Sequence, residues 1–313
     1  MRDVIDDLVV AIFTYQQEEY IKDAIISIYN QTVWPSKLII FDDCSKDKTV
    51  NFINEVVEKK PDGLNVEVVL NDRNIGLSSQ FNKLKDEFNN TLIIIQAGDD
   101  ISKSERLEKQ YSIWKNDSDV KLVLSQFNKI NYCGDIVSGR DESEIFDFNL
   151  NSIIERNILP AGCTAAIDSR LFNDFPPLDK KVINEDRVFI FRAYLKGKAV
   201  KVMQPLIDYR YDVGISALSQ NTRDEFINKW QKMYSRELVD LSMNINDAKH
   251  INRYDVLDIL YERKAFIKLL NDVFFGFYNS KFKVWKAFLL KKVNFKRVFK
   301  VNRRANKYFK NTR

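Results

Sequence analysis

The order of apolar and polar positions in the first hundred residues predicts buried strands alternating with one-sided helices. Leu8-Val9-Val10-Ala11-Ile12-Phe13 is an unbroken apolar run of strand length, the form taken by a strand covered on both faces. Ile21, Ala24, Ile25, Ile28 and Tyr29 then recur at helical offsets, and Pro35 marks the exit into a second run, Leu38-Ile39-Ile40-Phe41. A helix around Phe52, Ile53, Val56 and Val57 closes at Pro61-Asp62-Gly63, ahead of a third strand from Val66 to Leu70. A further helix with Leu77, Phe81, Leu84 and Phe88 on one side leads to a fourth strand, Leu92-Ile93-Ile94-Ile95. Such alternation builds a sheet with helices on its faces, so the expected class is α/β, Rossmann-like and mostly parallel.

Beyond Asp100 the alternation loosens into a helix near Arg106–Trp114, a strand near Val120–Phe127 and a polar stretch through Asn131–Asp147. Residues 120–220 read as a continuation of the first domain, giving an expected division into 1–220 and a helix-rich appendix, 221–313. In the appendix Phe226, Trp230, Met233 and Tyr234, then Val256, Leu257, Leu260 and Leu270, are the expected packing residues. No run approaches the ~20 apolar residues of a membrane-spanning helix, and the first residues lack the basic and apolar regions of a signal peptide.

Composition narrows the chemistry. With 313 residues, 45% hydrophobic and 30% charged, the chain suits one large or two smaller globular domains. Cys44, Cys133 and Cys163 stand far apart, which argues against a disulfide framework or a zinc site and for a reducing, cytoplasmic setting. His250 is the only histidine, so Ser-His-Asp and Cys-His hydrolases and the zinc proteases are excluded, and acid–base and metal work falls to carboxylates. Residues 281–313 hold 13 of the 49 Lys and Arg and none of the 44 acids, which leaves the rest of the chain net acidic.

Ligands of an open α/β sheet bind beyond the carboxyl ends of its strands, and four polar groups stand at those ends or at a helix start. Asp42-Asp43-Cys44-Ser45-Lys46-Asp47-Lys48-Thr49 follows the second strand, and by itself suits a helix cap. Asn74-Ile75-Gly76 follows the third and would serve as a turn needing positive φ. Asp99-Asp100 follows the fourth: two adjacent carboxylates repel unless solvent or a cation relieves them, and Mg2+ or Mn2+ characteristically takes one or two carboxylates and completes its shell with phosphate and water. Glu185 and Asp186 open a helix, where they complement its dipole or act as a general base.

In this order and spacing, Phe13-Thr14-Tyr15-Gln16-Gln17-Glu18, the Asp42–Thr49 string, Asn74-Ile75-Gly76-Leu77, Gly98-Asp99-Asp100 and Glu185-Asp186 together resemble the family 2 glycosyltransferases of GT-A fold. The resemblance covers residues 5–215, and its specific parts are the D-D-x-S-x-D-x-T string and the late acid pair. It implies an inverting enzyme that moves a sugar from a nucleoside-diphosphate donor, a UDP-sugar, to a hydroxyl of a saccharide or lipid-linked acceptor in surface polysaccharide assembly. It further implies that Tyr15 and Glu18 line the base and ribose pocket, that Asp43 accepts from the uracil ring nitrogen, and that Gly76 lets the backbone pass close to the nucleotide. Asp99 would hold the ribose, Asp100 the Mn2+ or Mg2+, and Asp186 would be the catalytic base, with Glu185 its rival. Two positions depart from the family pattern. Gln16 stands where Asn is common, and Tyr209-Arg210-Tyr211-Asp212 lacks the usual His, leaving Arg210 or Asp212 to substitute.

The basic end interleaves its cations with Phe282, Trp285, Phe288, Phe295 and Phe299, a composition suited to an anionic membrane surface on the cytoplasmic face, or to apolar residues packed on the catalytic domain beneath a solvated cationic face. No nucleic-acid recognition motif accompanies it. A sugar-phosphate nucleotidyltransferase is the rival enzyme class, although Thr14-Tyr15-Gln16-Gln17-Glu18 lacks its Gly-rich phosphate loop. A non-catalytic nucleotide- or membrane-surface-binding protein is the other alternative.

Overall fold

The structure, a computed structural model, describes residues 2–139, 145–157, 161–211 and 223–274. The chain forms two compact units, one of Met1–Ala217 with His250–Asn252 and one of Leu218–Lys249 with Arg253–Arg313. The basic segment 281–313 and Asp212 lie outside the described residues.

The first unit is built on a mixed sheet. Strands β1 (Val4–Thr14), β2 (Trp34–Asp42), β3 (Val66–Leu70) and β4 (Leu92–Ala97) pair in parallel in the order β3-β2-β1-β4. Helices α1 (Ile21–Tyr29), α2 (Thr49–Glu58) and α3 (Leu77–Phe81) make the connections. The apolar runs pair in parallel because both of their faces are covered. Leu8, Val10 and Ile12 face a core shared with Ile21, Ile25 and Ile28 of α1 and Ile53 and Val56 of α2. Full burial of each such Leu or Ile is worth about 1.5–3 kcal/mol. On the opposite face Phe13 stacks on Phe41 and Phe81, whose rings lie 5.2 Å and 4.8 Å away. This aromatic layer lies directly beneath the strand ends that carry Tyr15 and Asp43.

The other half is where the structure adds to the sequence reading. After the short β5 (Ile101–Ser102) and α4 (Arg106–Asn116), the long β6 (Val120–Ile130) is followed by β7 (Ile136–Ser138) and β8 (Ile145–Asp147), both inside the stretch expected to be polar and irregular. Then come α5 (Leu150–Ile154), β9 (Ala166–Asp168), α6 (Arg170–Asn173), α7 (Glu185–Lys196) and β10 (Lys198–Arg210). The sheet continues β4-β9-β6-β10-β5, with β6 and β10 parallel and the short strands β5, β7, β8 and β9 all antiparallel. Strands of two or three residues are too short to show a period, which is why the pattern alone missed them.

The second unit contains α8 (Arg223–His250), apart from its last residue, and α9 (Leu257–Phe274). Tyr234, Leu241, Ile245 and Ala248 are buried on α8, as are Leu260, Ile267 and Leu270 on α9, whereas Met233, an expected packing residue, is exposed. Arg263 Nε donates to Glu237 Oε1 across the buried pair of helices at 2.8 Å. Among the described residues no helix is long and apolar enough to cross a membrane.

Candidate active site

The loops after β1 and β2 are tied together by the side chains of the D-D-x-S-x-D-x-T string. Ser45 accepts from the Gln16 amide N–H at 2.8 Å and donates its own hydroxyl to Asp42. Thr49 Oγ1 accepts from Gln17 N at 2.8 Å and donates to Asp47 Oδ1 at 2.6 Å. Glu18 Oε2 in turn accepts from Lys48 N at 2.7 Å, while Asp47 Oδ2 accepts from Glu18 N. Glu18 therefore acts on the start of α2 from the loop before α1, and the string works as a clamp between two otherwise separate loops. Tyr15 projects from the clamped loop and is 44% exposed.

Asp43 is 2% exposed and gathers the loop after β3. Its Oδ1 accepts from Asn71 Nδ2 at 2.9 Å and Ile75 N at 2.8 Å, and its Oδ2 from Gly76 N at 2.9 Å. A carboxylate offers about four lone-pair sites, so one acceptor site is left. Gly76 has φ 82° and ψ 156°, a region that essentially excludes side chains, and no atom stands within 4 Å of where its Cβ would be.

The acid pair sits in the corner between β4 and β5. Gly98 before it packs on β1, where an added Cβ would stand 2.8 Å from Thr14 Cβ. Burial raises Asp99, opposed by a hydrogen bond from Gln17 and by the charge of Arg210. Asp100 is 1% exposed, and burial, then the neighbouring charge of Asp99, pushes its carboxyl up to about 7. Its Oδ1 accepts from Arg210 N at 3.0 Å; its Oδ2 is buried and accepts from no nitrogen or oxygen donor, leaving the weak Cys163 thiol as the neighbouring donor to the carboxylate. A buried carboxylate oxygen without a strong donor is costly in the absence of a cation. Two hard oxygen donors at a corner fit Mn2+ or Mg2+, which needs few protein ligands when a diphosphate supplies the rest. Among the described residues no group of three or more His, Cys, Asp or Glu could hold a metal by itself.

Arg210 is buried and commits most of its donors within the protein, while its Nη2 lies 3.8 Å from Asp23 Oδ2. Its Nε donates to Asp99 O, its Nη1 to Asn131 O and Tyr132 O, and its guanidinium lies over Tyr20, 4.5 Å from the ring centroid. It joins the acid corner to the β6–β7 turn instead.

A 3-10 turn at Gly162–Thr164 brings the last pair of acids into the site. The Cys163 thiol lies against the Asp100 carboxylate, and burial pushes that thiol well above its usual range, keeping it protonated. A Cβ at Gly162 would stand 2.9 Å from Glu185 Oε1 and 3.7 Å from Asp186 Cβ. The structure thus assembles Asp99, Asp100, Glu185 and Asp186 around one turn, with Glu185 and Asp186 also lining a small cleft floored by Phe81, Leu122 and Phe189. The sequence reading missed Gln17, Asn71, Gly162 and Cys163, whose contacts come from elements far apart along the chain. Glycine at 98 and 162 was the available signal, since each marks a close approach.

The profile of the family described as Glycosyl transferase family 2 matches residues 9–172, more than half of the chain. An uncharacterized glycosyltransferase of Methanocaldococcus jannaschii is 25% identical over 231 residues, covering 72% of this chain and 76% of that protein. Among solved structures, S. aureus TarS 1-349 in complex with UDP-GlcNAc matches with a TM-score of 0.53 at 19% identity, over 86% of each chain. Against the longer TarS crystal structure the match covers 82% of this chain but 43% of that one, so this chain spans less than half of that relative. The mannosyltransferase PcManGT from Pyrobaculum calidifontis, in complex with GDP-Man and Mn2+, matches with a TM-score of 0.54 at 16% identity, over 86% and 71% of the two chains. The chain therefore has the GT-A fold and belongs to glycosyltransferase family 2.

Proposed function

We propose that the chain is a metal-dependent, inverting glycosyltransferase that moves a sugar from a UDP-sugar to a hydroxyl of a saccharide or lipid-linked acceptor, in surface polysaccharide or glycolipid assembly. The observation that carries this reading is the buried Asp100 Oδ2, without a nitrogen or oxygen donor, beside Asp99 at the end of β4. A divalent cation held there would offset the charge of the departing diphosphate, so that no side chain need protonate it. Asp99 would hold the ribose. Tyr15, Glu18 and Gly76 form the edges of the base pocket, and Asp43 keeps one acceptor site for a single ring N–H, which matches uracil; guanine presents two neighbouring donors. That TarS was solved with UDP-GlcNAc supports this choice, and the Mn2+ in PcManGT supports the metal.

Asp186, at the start of α7, takes the proton of the acceptor hydroxyl as its oxygen bonds to the anomeric carbon. The bond from that carbon to the diphosphate breaks on the opposite face, which inverts the configuration and releases UDP. Glu185 beside it is 8% exposed and is the less accessible candidate.

Calorimetric titration with UDP, with and without Mn2+, tests the site. Metal-dependent binding is expected in the parent chain and is lost in Asp100→Ala; parent chain that ignores UDP under both conditions sinks the reading. Asp186→Asn should keep UDP binding and lose turnover of a UDP-sugar, by about two to four orders of magnitude for a missing general base. If Glu185→Gln shows that loss and Asp186→Asn does not, the base is Glu185.

A further inference from the structure

Among the described residues of the first unit, the most deeply buried cation is hydrogen-bonded to neutral groups alone. Arg106, the first residue of α4, is 0% exposed, and among the described residues its guanidinium makes no ion pair. All five of its N–H groups go to neutral oxygens. Nε donates to Gln110 Oε1 at 2.9 Å, and Nη1 to Gln96 Oε1 at 2.8 Å and Ser102 Oγ at 3.0 Å. Nη2 donates to Ile95 O and Cys163 O, each at 2.8 Å. Burial pushes the guanidinium down to about 10, and the carboxylate whose charge opposes this is Asp100. Burying a charge in this way carries a desolvation cost that a neutral side chain would avoid.

The partners of this fork are informative. Gln96, which accepts from Arg106, donates its own amide to Asp100 O at 2.7 Å and to Ala97 O at 3.1 Å, so it fixes the main chain of the acid corner. Cys163 is the centre of the turn whose thiol lies against Asp100 and whose Gly162 abuts Glu185 and Asp186. Gln110 repeats the link, donating to Thr164 O at 2.8 Å. One planar guanidinium thus holds both the strand end that carries the acid pair and the turn whose Gly162 packs against the α7 acids. Lysine could supply the charge but not the fork.

We infer that Arg106 is a positioning residue of the transfer site, setting the spacing between the Asp99–Asp100 corner and the Gly162–Thr164 turn. The inference rests on the reading of Asp100 as the residue facing a donor-bound divalent cation. The base pocket around Asp43 shares none of these hydrogen bonds, so it serves as an internal control.

The test is Arg106→Lys in a Cys44→Ser, Cys133→Ser background, compared with the same background carrying Arg106. In metal-free protein, N-ethylmaleimide should label Cys163 about tenfold faster in the variant, because the turn is no longer held. In calorimetry the Mn2+-dependent gain in UDP affinity should fall about tenfold, while uridine affinity stays within about twofold. Parental values for the labelling rate or for the Mn2+-dependent gain overturn the inference, as does a loss of uridine affinity in proportion, which would mean a general fold defect. Should the lysine variant fail to fold, Gln96→Met cuts the link from Arg106 to Asp100 and is judged by the Mn2+-dependent gain against uridine affinity, a parental gain again overturning the inference. A parent chain without any Mn2+-dependent gain removes the functional reading itself. The thiol readout, which needs no metal, then still decides whether Arg106 holds the turn.

Discussion

At the residue scale, the position under most electrostatic load is Asp100. A carboxyl whose folded-state value is raised holds its proton longer folded than unfolded. The folded state therefore loses stability as pH rises from the ordinary carboxylate range through about 7. Asp100→Asn removes this loss, so the metal-free variant should melt above the parent at pH greater than 7, and the two should converge in acid, where both side chains are neutral. Each kcal/mol relieved raises Tm by about 2–4 °C for a domain of this size, readable by scanning calorimetry at the two pH extremes. Gly76 supplies a second case. Its φ of 82° with ψ of 156° costs about 1–3 kcal/mol in any other residue, and its N–H is one of three donors that orient Asp43. Gly76→Ala should lower stability by that amount in urea unfolding and weaken uridine binding in the same preparation. The acids and Gly76 were legible because strand-end position and motif spacing are local properties of the chain. Arg106 was not, since an arginine at a helix start is ordinary until Ile95 and Cys163 are seen to converge on it.

At the element scale, the clamp between the loops after β1 and β2 is the feature most open to a single substitution. Thr49 Oγ1 both accepts from Gln17 N and donates to Asp47, so Thr49→Ala removes two hydrogen bonds and leaves a half-buried N–H without its partner. The expected loss is about 1–3 kcal/mol, measured by urea unfolding, with a drop in uridine affinity as the Tyr15–Glu18 loop loosens. The elements themselves divide by what produces them. β1, α1 and β3 match the sequence expectation because each carries its own period or an uninterrupted apolar run. The helix expected through Phe88 stops early: α3 ends at Phe81 and a 3-10 turn ends at Leu84, after which Asp86 and Asn90 take positive φ. Asn173 of α6 is the reason. Its Oδ1 accepts from Asp86 N and its Nδ2 donates to Phe88 O, pinning the segment in a non-helical path from a position 85 or more residues away.

At the scale of the whole molecule, the charge distribution sets the remaining expectation. The basic, aromatic-rich segment 281–313 has the composition of a membrane-surface anchor, and an inner-leaflet location would bring the enzyme to a lipid-linked acceptor. Each Lys or Arg near an anionic leaflet contributes about 1 kcal/mol, and the attraction is screened by salt. Vesicles with phosphatidylserine should therefore retain the chain at low ionic strength and release it at high. Neutral vesicles should not retain it, nor should anionic vesicles retain a chain ending at residue 280. Equal sedimentation with both vesicle types would refute the electrostatic anchor.

By itself the sequence determined the α/β alternation, the mostly parallel character of the sheet, and the strand ends and helix start where the carboxylates stand, because each depends on periodicity or on residue type at a local position. Tertiary structure alone decided how the acids meet. The antiparallel insertion of β9, the Gly162–Thr164 turn and the fork of Arg106 place Asp100 and the α7 acids around one turn although 86 positions of chain separate Asp100 from Asp186. A buried hydrogen-bond network of that kind is specified by the three-dimensional coincidence of donors and acceptors, which no spacing along the chain encodes.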